Sequence, residues 1–215
     1  MADLLANTLL YSRAHHLPQM LIGYAAATAI ACWAGSGDIV LPAANSRGWS
    51  EMASVAATTI PFAAFAAGSL HSSMGSLEQA ATQRLVRAEV VHVVLSLLLA
   101  ATLISTVTVV AGSVGGAFEA IRNLALYAGL ALVSGRLFGR SLSWILPIAD
   151  FIIVDFWGVD GAHPHWWAWQ FQVYDNGGSW IAAGAVLAAG LAALTLPPRI
   201  FGLTITRFSS STSTA

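Results

Sequence analysis

Two aspartates, Asp150 and Asp155, stand in an otherwise apolar stretch, SLSWILPIADFIIVDFW, that is about as long as a bilayer core is thick. A carboxylate at that depth costs about 2.5–3.5 kcal/mol on insertion scales, so each needs a partner or a use. One basic group matches one of them in depth. Arg122 lies about four residues inside the outer end of the preceding apolar segment, and Asp155 about four residues inside the outer end of its own. The two make a natural ion pair, with Asn123 and Glu119 beside it. Such a pair either fixes the register of two helices or belongs to a substrate or proton pathway. No arginine matches Asp150, which is then protonated, hydrogen-bonded to a neighbouring helix, or open to a polar cavity. Pro147 frees a carbonyl one turn earlier and allows the helix to bend there.

Two other groups carry side chains with chemical potential. Glu89 and His92, three residues apart at the start of an apolar run, share a helix face and suit a satisfied polar contact. Asp160, His163 and His165 follow in a loop, and imidazole with carboxylate suits zinc or copper. Two imidazoles in His-Pro-His make a weak metal signal. A short amphipathic helix, residues 166–171, lying on the outer membrane surface as an aromatic cap, explains the same stretch with less. No Gly-x-Ser-x-Gly, His-Glu-x-x-His or dinucleotide fingerprint occurs, and nothing forms a catalytic triad.

The composition defines the setting. Of the 215 residues, 57% are hydrophobic and 9% charged, against about 25% charged in soluble domains. All nine basic residues are arginine. Without lysine there is neither a P-loop nor Schiff-base catalysis, so the chain does not hydrolyse ATP through a P-loop of its own. A net charge of -1 gives no reason to expect nucleic acid. The single Cys32 reads as a small buried hydrophobe and excludes an intrachain disulfide or a cysteine-based zinc site.

Six segments are long and apolar enough to cross: 17–35, 52–70, 88–112, 118–138, 141–159 and 178–197. The expected fold is an all-α integral membrane protein, a polytopic bundle of about six transmembrane helices in one domain, 1–208. An amphipathic N-terminal segment precedes the bundle, a short outer interfacial segment precedes the last span, and 209–215 form a disordered tail. The first apolar run is longer than a signal-peptide core and reads as a retained span. GSVGG makes a tight turn between the third and fourth spans. With the N-terminus inside, seven arginines (Arg13, Arg84, Arg87, Arg136, Arg140, Arg199 and Arg207) fall on the inner side and two, Arg47 and Arg122, on the outer. That bias predicts both termini cytoplasmic in a bacterial plasma membrane, and seven of the eight tryptophans fall near outer ends, as interface anchors do.

The loop after the second span is more than a connector. Ser76 followed by Gln79 forms a capping-box pattern that starts a helix at Leu77, and Glu78, Arg84, Arg87 and Glu89 make a charged cytosolic helical segment. That segment is either a docking surface or the start of a long third span whose arginines snorkel to headgroups.

Taken together, LHSSMGSLEQAATQRLVRAEVVH, then RNLALYAGLALVSGRLFGRSLSWILP, and later WWAWQFQ resemble small actinobacterial permeases of type-2 ABC exporters, of the kind found in natural-product gene clusters. The resemblance covers most of the chain and is one of layout. It implies a half-transporter that forms a homodimer or heterodimer and exports an amphiphilic compound or peptide. It also implies a separate ATP-binding subunit that carries the ATP and Mg. Ser76, Glu78, Gln79, Arg84 and Arg87 would receive that subunit, and Asp150, Asp155, Arg122, Asn123, Glu89 and His92 would line or brace the path. The rival readings are a non-transporting immunity or scaffold protein of the membrane, and a metalloprotein using Asp160, His163 and His165.

Overall fold

The computed structural model describes residues 17–34, 37–42, 44, 48–70, 83–160 and 163–195. The amphipathic N-terminal segment, the capping box with Glu78, and the polar tail lie outside the described residues.

Six helices follow the apolar segments: α1 (Leu17–Ala34), α2 (Ser54–Gly68), α3 (Gln83–Val110), α4 (Val114–Phe138), α5 (Ile145–Trp157) and α6 (Gly177–Thr195). Four of them, α1, α3, α4 and α6, are long and apolar enough to cross a membrane. Several of their threonine hydroxyls are satisfied within the helix, as a lipid setting favours. Thr28 donates to Tyr24 O, Thr102 to Leu98 O and Thr108 to Ile104 O, each one turn back.

The helices α2 and α5 are shorter than their apolar segments. The first residues assigned to the second span form instead a strand of an antiparallel hairpin, β1 (Asp38–Pro42) with β2 (Trp49–Ala53), and α2 starts only at Ser54. The expected helix over 141–159 is divided. A 3-10 turn, Arg140–Leu142, makes an elbow, and α5 occupies 13 residues after it. Pro147 thus falls in the first turn of α5, where an imino acid removes no internal hydrogen bond, so it starts the helix and does not bend it. The turn between α3 and α4 is tighter than 112–116. Gly112 adopts a positive φ of 91°, and Ser113 caps α4 by accepting from Gly116 N–H at 3.0 Å.

The centre of the bundle is α4. In its most apolar window 61% of the residues are buried, against 22–28% in α1, α3 and α6. On one side Tyr24, Phe62, Ile104, Leu124 and Tyr127 form the main core. On the other, α4 meets α6 backbone to backbone: a Cβ on Gly190 would stand 2.7 Å from Gly129 O. Close packing through small residues is how helices associate where lipid removes the hydrophobic drive. Cys32, expected in the core, is exposed on α1.

The alternation of helices gives the bundle two ends. One carries the hairpin, the α3–α4 turn and the aromatic segment before α6. The other carries Arg87, Arg136 and Arg140.

Candidate functional site

The polar side chains gather into two networks, one toward each end. The network toward the aromatic end is built around Arg122, whose side chain is only 1% exposed. The chain leaves α5, forms a two-residue ladder β3 (Val159–Asp160) with β4 (His163–Pro164), and then makes a 3-10 turn, Trp169–Phe171, in place of the expected interfacial helix. This turn directs its carbonyls inward. Arg122 Nη1 donates to Gln172 O at 2.8 Å, Val173 O at 3.2 Å and Ser179 Oγ at 3.1 Å, and Nη2 donates to Gln170 O at 3.2 Å. Asn123 Nδ2 reaches the same Gln170 O, and Asn123 Oδ1 accepts from Arg122 Nε. Asn176 Oδ1 caps α6 by accepting from Ser179 N–H at 3.1 Å. Arg122 therefore ties α4, the aromatic segment and the start of α6 together.

The expected pairing of Arg122 with Asp155 gives way to this arrangement. The donors of Arg122 go to main-chain carbonyls and to the Ser179 and Asn123 side chains, and the carboxylate whose charge reaches it is Glu119, one turn earlier on α4. Asp155 is buried on α5. The acid joined to Arg122 is Asp150, through one intermediary. Gln170 accepts from Arg122 with its carbonyl and donates from Nε2 to Asp150 Oδ2 at 3.0 Å. Beside them Tyr127 is fully buried, its hydroxyl next to Gln170 and within electrostatic reach of Asp150 and Arg122.

The network toward the arginine-rich end joins the end of α2, the start of α3 and the elbow before α5. Glu89 and His92 do not satisfy each other but reach different helices. Glu89 Oε1 accepts from Arg140 Nη2 at 2.6 Å, and Arg140 Nη1 donates to Leu70 O. His92 Nε2 lies 2.8 Å from Ser69 Oγ. Ser69 Oγ also lies 2.8 Å from Ala66 O, one turn back on α2. Ser134 Oγ donates to Leu142 O at 2.7 Å and holds the elbow against α4.

Of the residues implicated by sequence, Asp150, Arg122 and Asn123 come together, while Glu89 and His92 belong to the second network. Gln170, Tyr127, Ser179, Ser69 and Arg140 were not foreseen in these roles. Arg87 is exposed near the start of α3; Gln83 and Arg84 belong to the same helix. In the loop, Asp160 and His163 stand opposite each other in the β3–β4 register, and His165 stacks on Trp167 with centroids 6.0 Å apart. Among the described residues no three His, Cys, Asp or Glu side chains gather as a metal site.

Comparison with protein-family models, with curated proteins and with solved structures gave no match.

Proposed function

We propose that the chain is the membrane subunit of an ABC exporter, a permease that crosses the membrane six times and moves an amphiphilic compound or peptide. A separate ATP-binding subunit supplies ATP and Mg, and two permease copies, or this chain and a second permease, complete the transporter. The observation that carries this reading is α3. Its 28 residues span about 42 Å, some 12 Å more than a bilayer core. The excess at the arginine-rich end bears Arg84 and Arg87, the part of the expected coupling segment that would meet a cytosolic partner.

The second network gives that contact a route inward. Glu89 lies just after the projecting turn, and its partner Arg140 sits at the elbow that starts α5, the helix bearing Asp150. A push on α3 from outside the bilayer would thus be felt at α5. The sequence resemblance to type-2 permeases and the lack of any P-loop support the same division of labour.

Purification from the native membrane in mild detergent tests the proposal. The expected result is a stoichiometric partner carrying G-x-x-x-x-G-K-[ST], lost from the complex when Arg84 and Arg87 are replaced by glutamate. If no ATP-binding protein accompanies the chain under any gentle condition, the exporter reading falls and a non-transporting role replaces it.

A further inference from the structure

A cavity of about 420 Å³ opens at the arginine-rich end, between the start of α1, the end of α2 and the elbow before α5. Its volume is that of an ordinary small-ligand site. One wall is apolar, made by Met20, Ala64, Phe65 and Trp144. Trp144 is 46% exposed and has the amphipathic character of a residue at headgroup depth.

The rest of the lining is polar and offers no unpaired charge. Arg140 is its one charged side chain, and that guanidinium is already engaged: Glu89 Oε1 accepts from it at 2.6 Å, and Leu70 O accepts as well. Among the described residues no carboxylate lines the cavity. The neutral polar groups are in the opposite condition. Among the described residues nothing hydrogen-bonds the side chains of Gln19, Ser141 or Ser143. Gln19 and Ser141 are exposed and can turn to water, but Ser143 is only 3% exposed. A hydroxyl buried to that degree normally has a partner, as Ser134 at the same elbow has in Leu142 O. Ser143 Oγ points toward the cavity instead. It is the nearest atom, at 3.7 Å, to a Cβ placed on Gly68, another of the lining residues.

We propose that this cavity binds an uncharged amphiphile, a single hydrocarbon chain with a hydroxyl or amide head. The head bonds Ser143, Ser141 and Gln19, and the chain lies along Met20 and Phe65. A phosphate or carboxylate head meets no free cation here, and an ammonium meets no carboxylate, so either would bring in a charge that nothing compensates. A purely apolar molecule would cover the wall and leave the Ser143 hydroxyl buried without a partner. A neutral head on an apolar chain satisfies both parts of the lining. The site rests on the membrane embedding proposed above and needs no partner ATPase.

The test uses the full chain in phosphatidylcholine bilayers carrying one of three brominated-chain lipids: a monoacylglycerol, the lysophosphatidic acid of the same chain, or phosphatidylcholine. The Trp144 signal is isolated as the difference between the protein and its Trp144→Phe variant. Bromine on the monoacylglycerol is expected to quench Trp144 at about tenfold lower mole fraction than on either other lipid, the ratio that one or two net hydrogen bonds supply. Ser143→Ala removes one buried oxygen and leaves the packing as it is, so it should reduce that preference about threefold or more. Gly68→Leu enters the cavity past an ordinary contact and should abolish the preference by filling the space. If Gly68→Leu fails to fold, Ser143→Ala still decides. Equal quenching by the three lipids, a preference for lysophosphatidic acid, or a preference untouched by Ser143→Ala overturns the site and leaves the exporter proposal standing. Absence of an ATP-binding partner would do the reverse.

Discussion

Arg122 and Asp150 illustrate how a charge is kept in an apolar bundle without a direct counterion. The guanidinium is satisfied by three main-chain carbonyls and two side chains, and the single residue Gln170 links it by hydrogen bonds to Asp150. Each buried acceptor stripped of its donor costs about 1–3 kcal/mol. Arg122→Leu strands several and should cost at least ~3 kcal/mol, lowering the thermal unfolding midpoint in detergent by roughly 6–12 °C. Asp150→Asn behaves differently. The amide oxygen still accepts from Gln170 Nε2, so stability should stay within about 1 kcal/mol of the parent protein. The same variant removes the charge, and transport in reconstituted vesicles should fall if that carboxylate serves the path. A large drop in unfolding midpoint for Asp150→Asn would mean instead that the charge itself holds the aromatic segment. The pairing of Arg122 with Asp155 follows from depth alone, and depth does not fix the direction a side chain faces around its helix. Nor does hydropathy show that a tryptophan-rich loop turns three carbonyls inward, so Gln170 is silent in sequence.

Between elements, the decisive link is Glu89 on α3 with Arg140 at the elbow. Glu89 is 5% exposed and Arg140 30%, so solvent screens the pair in part and a coupling of about 1–3 kcal/mol is expected. Glu89→Arg and Arg140→Glu each place like charges together, whereas the double exchange restores attraction. A double-mutant cycle on unfolding midpoints should show the double variant more stable than either single one; strict additivity would dismiss the link. On the exporter proposal, each single variant in complex with an ATP-binding subunit should hydrolyse ATP without transport, and the exchange should recover part of the coupling. The positions of the six helices are legible in the sequence because lipid sets a minimum apolar length. Their ends are less so. Trp49–Ala53 reads as the start of an apolar segment, yet pairing with Asp38–Pro42 satisfies its backbone before α2 begins. Pro147 reads as a kink only when the helix is assumed to begin at Ser141; a start at Ile145 makes it a helix-starting residue.

For the molecule as a whole, α4 is the post around which the other helices stand, and its contact with α6 is set by two glycines. A Cβ on Gly190 would meet Gly129 O at 2.7 Å, and one on Gly129 would collide with the backbone of Val186 and Leu187. The alanines and glycines of α6 show in sequence that some close packing exists, but small residues occur on every face of that helix, so the sequence does not say which face is used. Gly184, two turns away on the same helix, meets nothing within 4 Å. The pair makes an internally controlled experiment. Gly184→Ala gains helix propensity, up to about 1 kcal/mol, and should leave the protein as stable as before or slightly more so. Gly190→Ala must push α6 off α4, at the upper end of the ~1–3 kcal/mol that overpacking costs, because the obstacle is backbone and cannot rotate aside. The separation would also loosen Ser179 from Arg122, so the aromatic segment should become more accessible to hydrogen exchange in Gly190→Ala and not in Gly184→Ala. Equal behaviour of the two variants would mean that α4 and α6 are not held at backbone contact, and that Arg122 and the leucines Leu187, Leu191 and Leu194 join the last helix to the rest of the bundle.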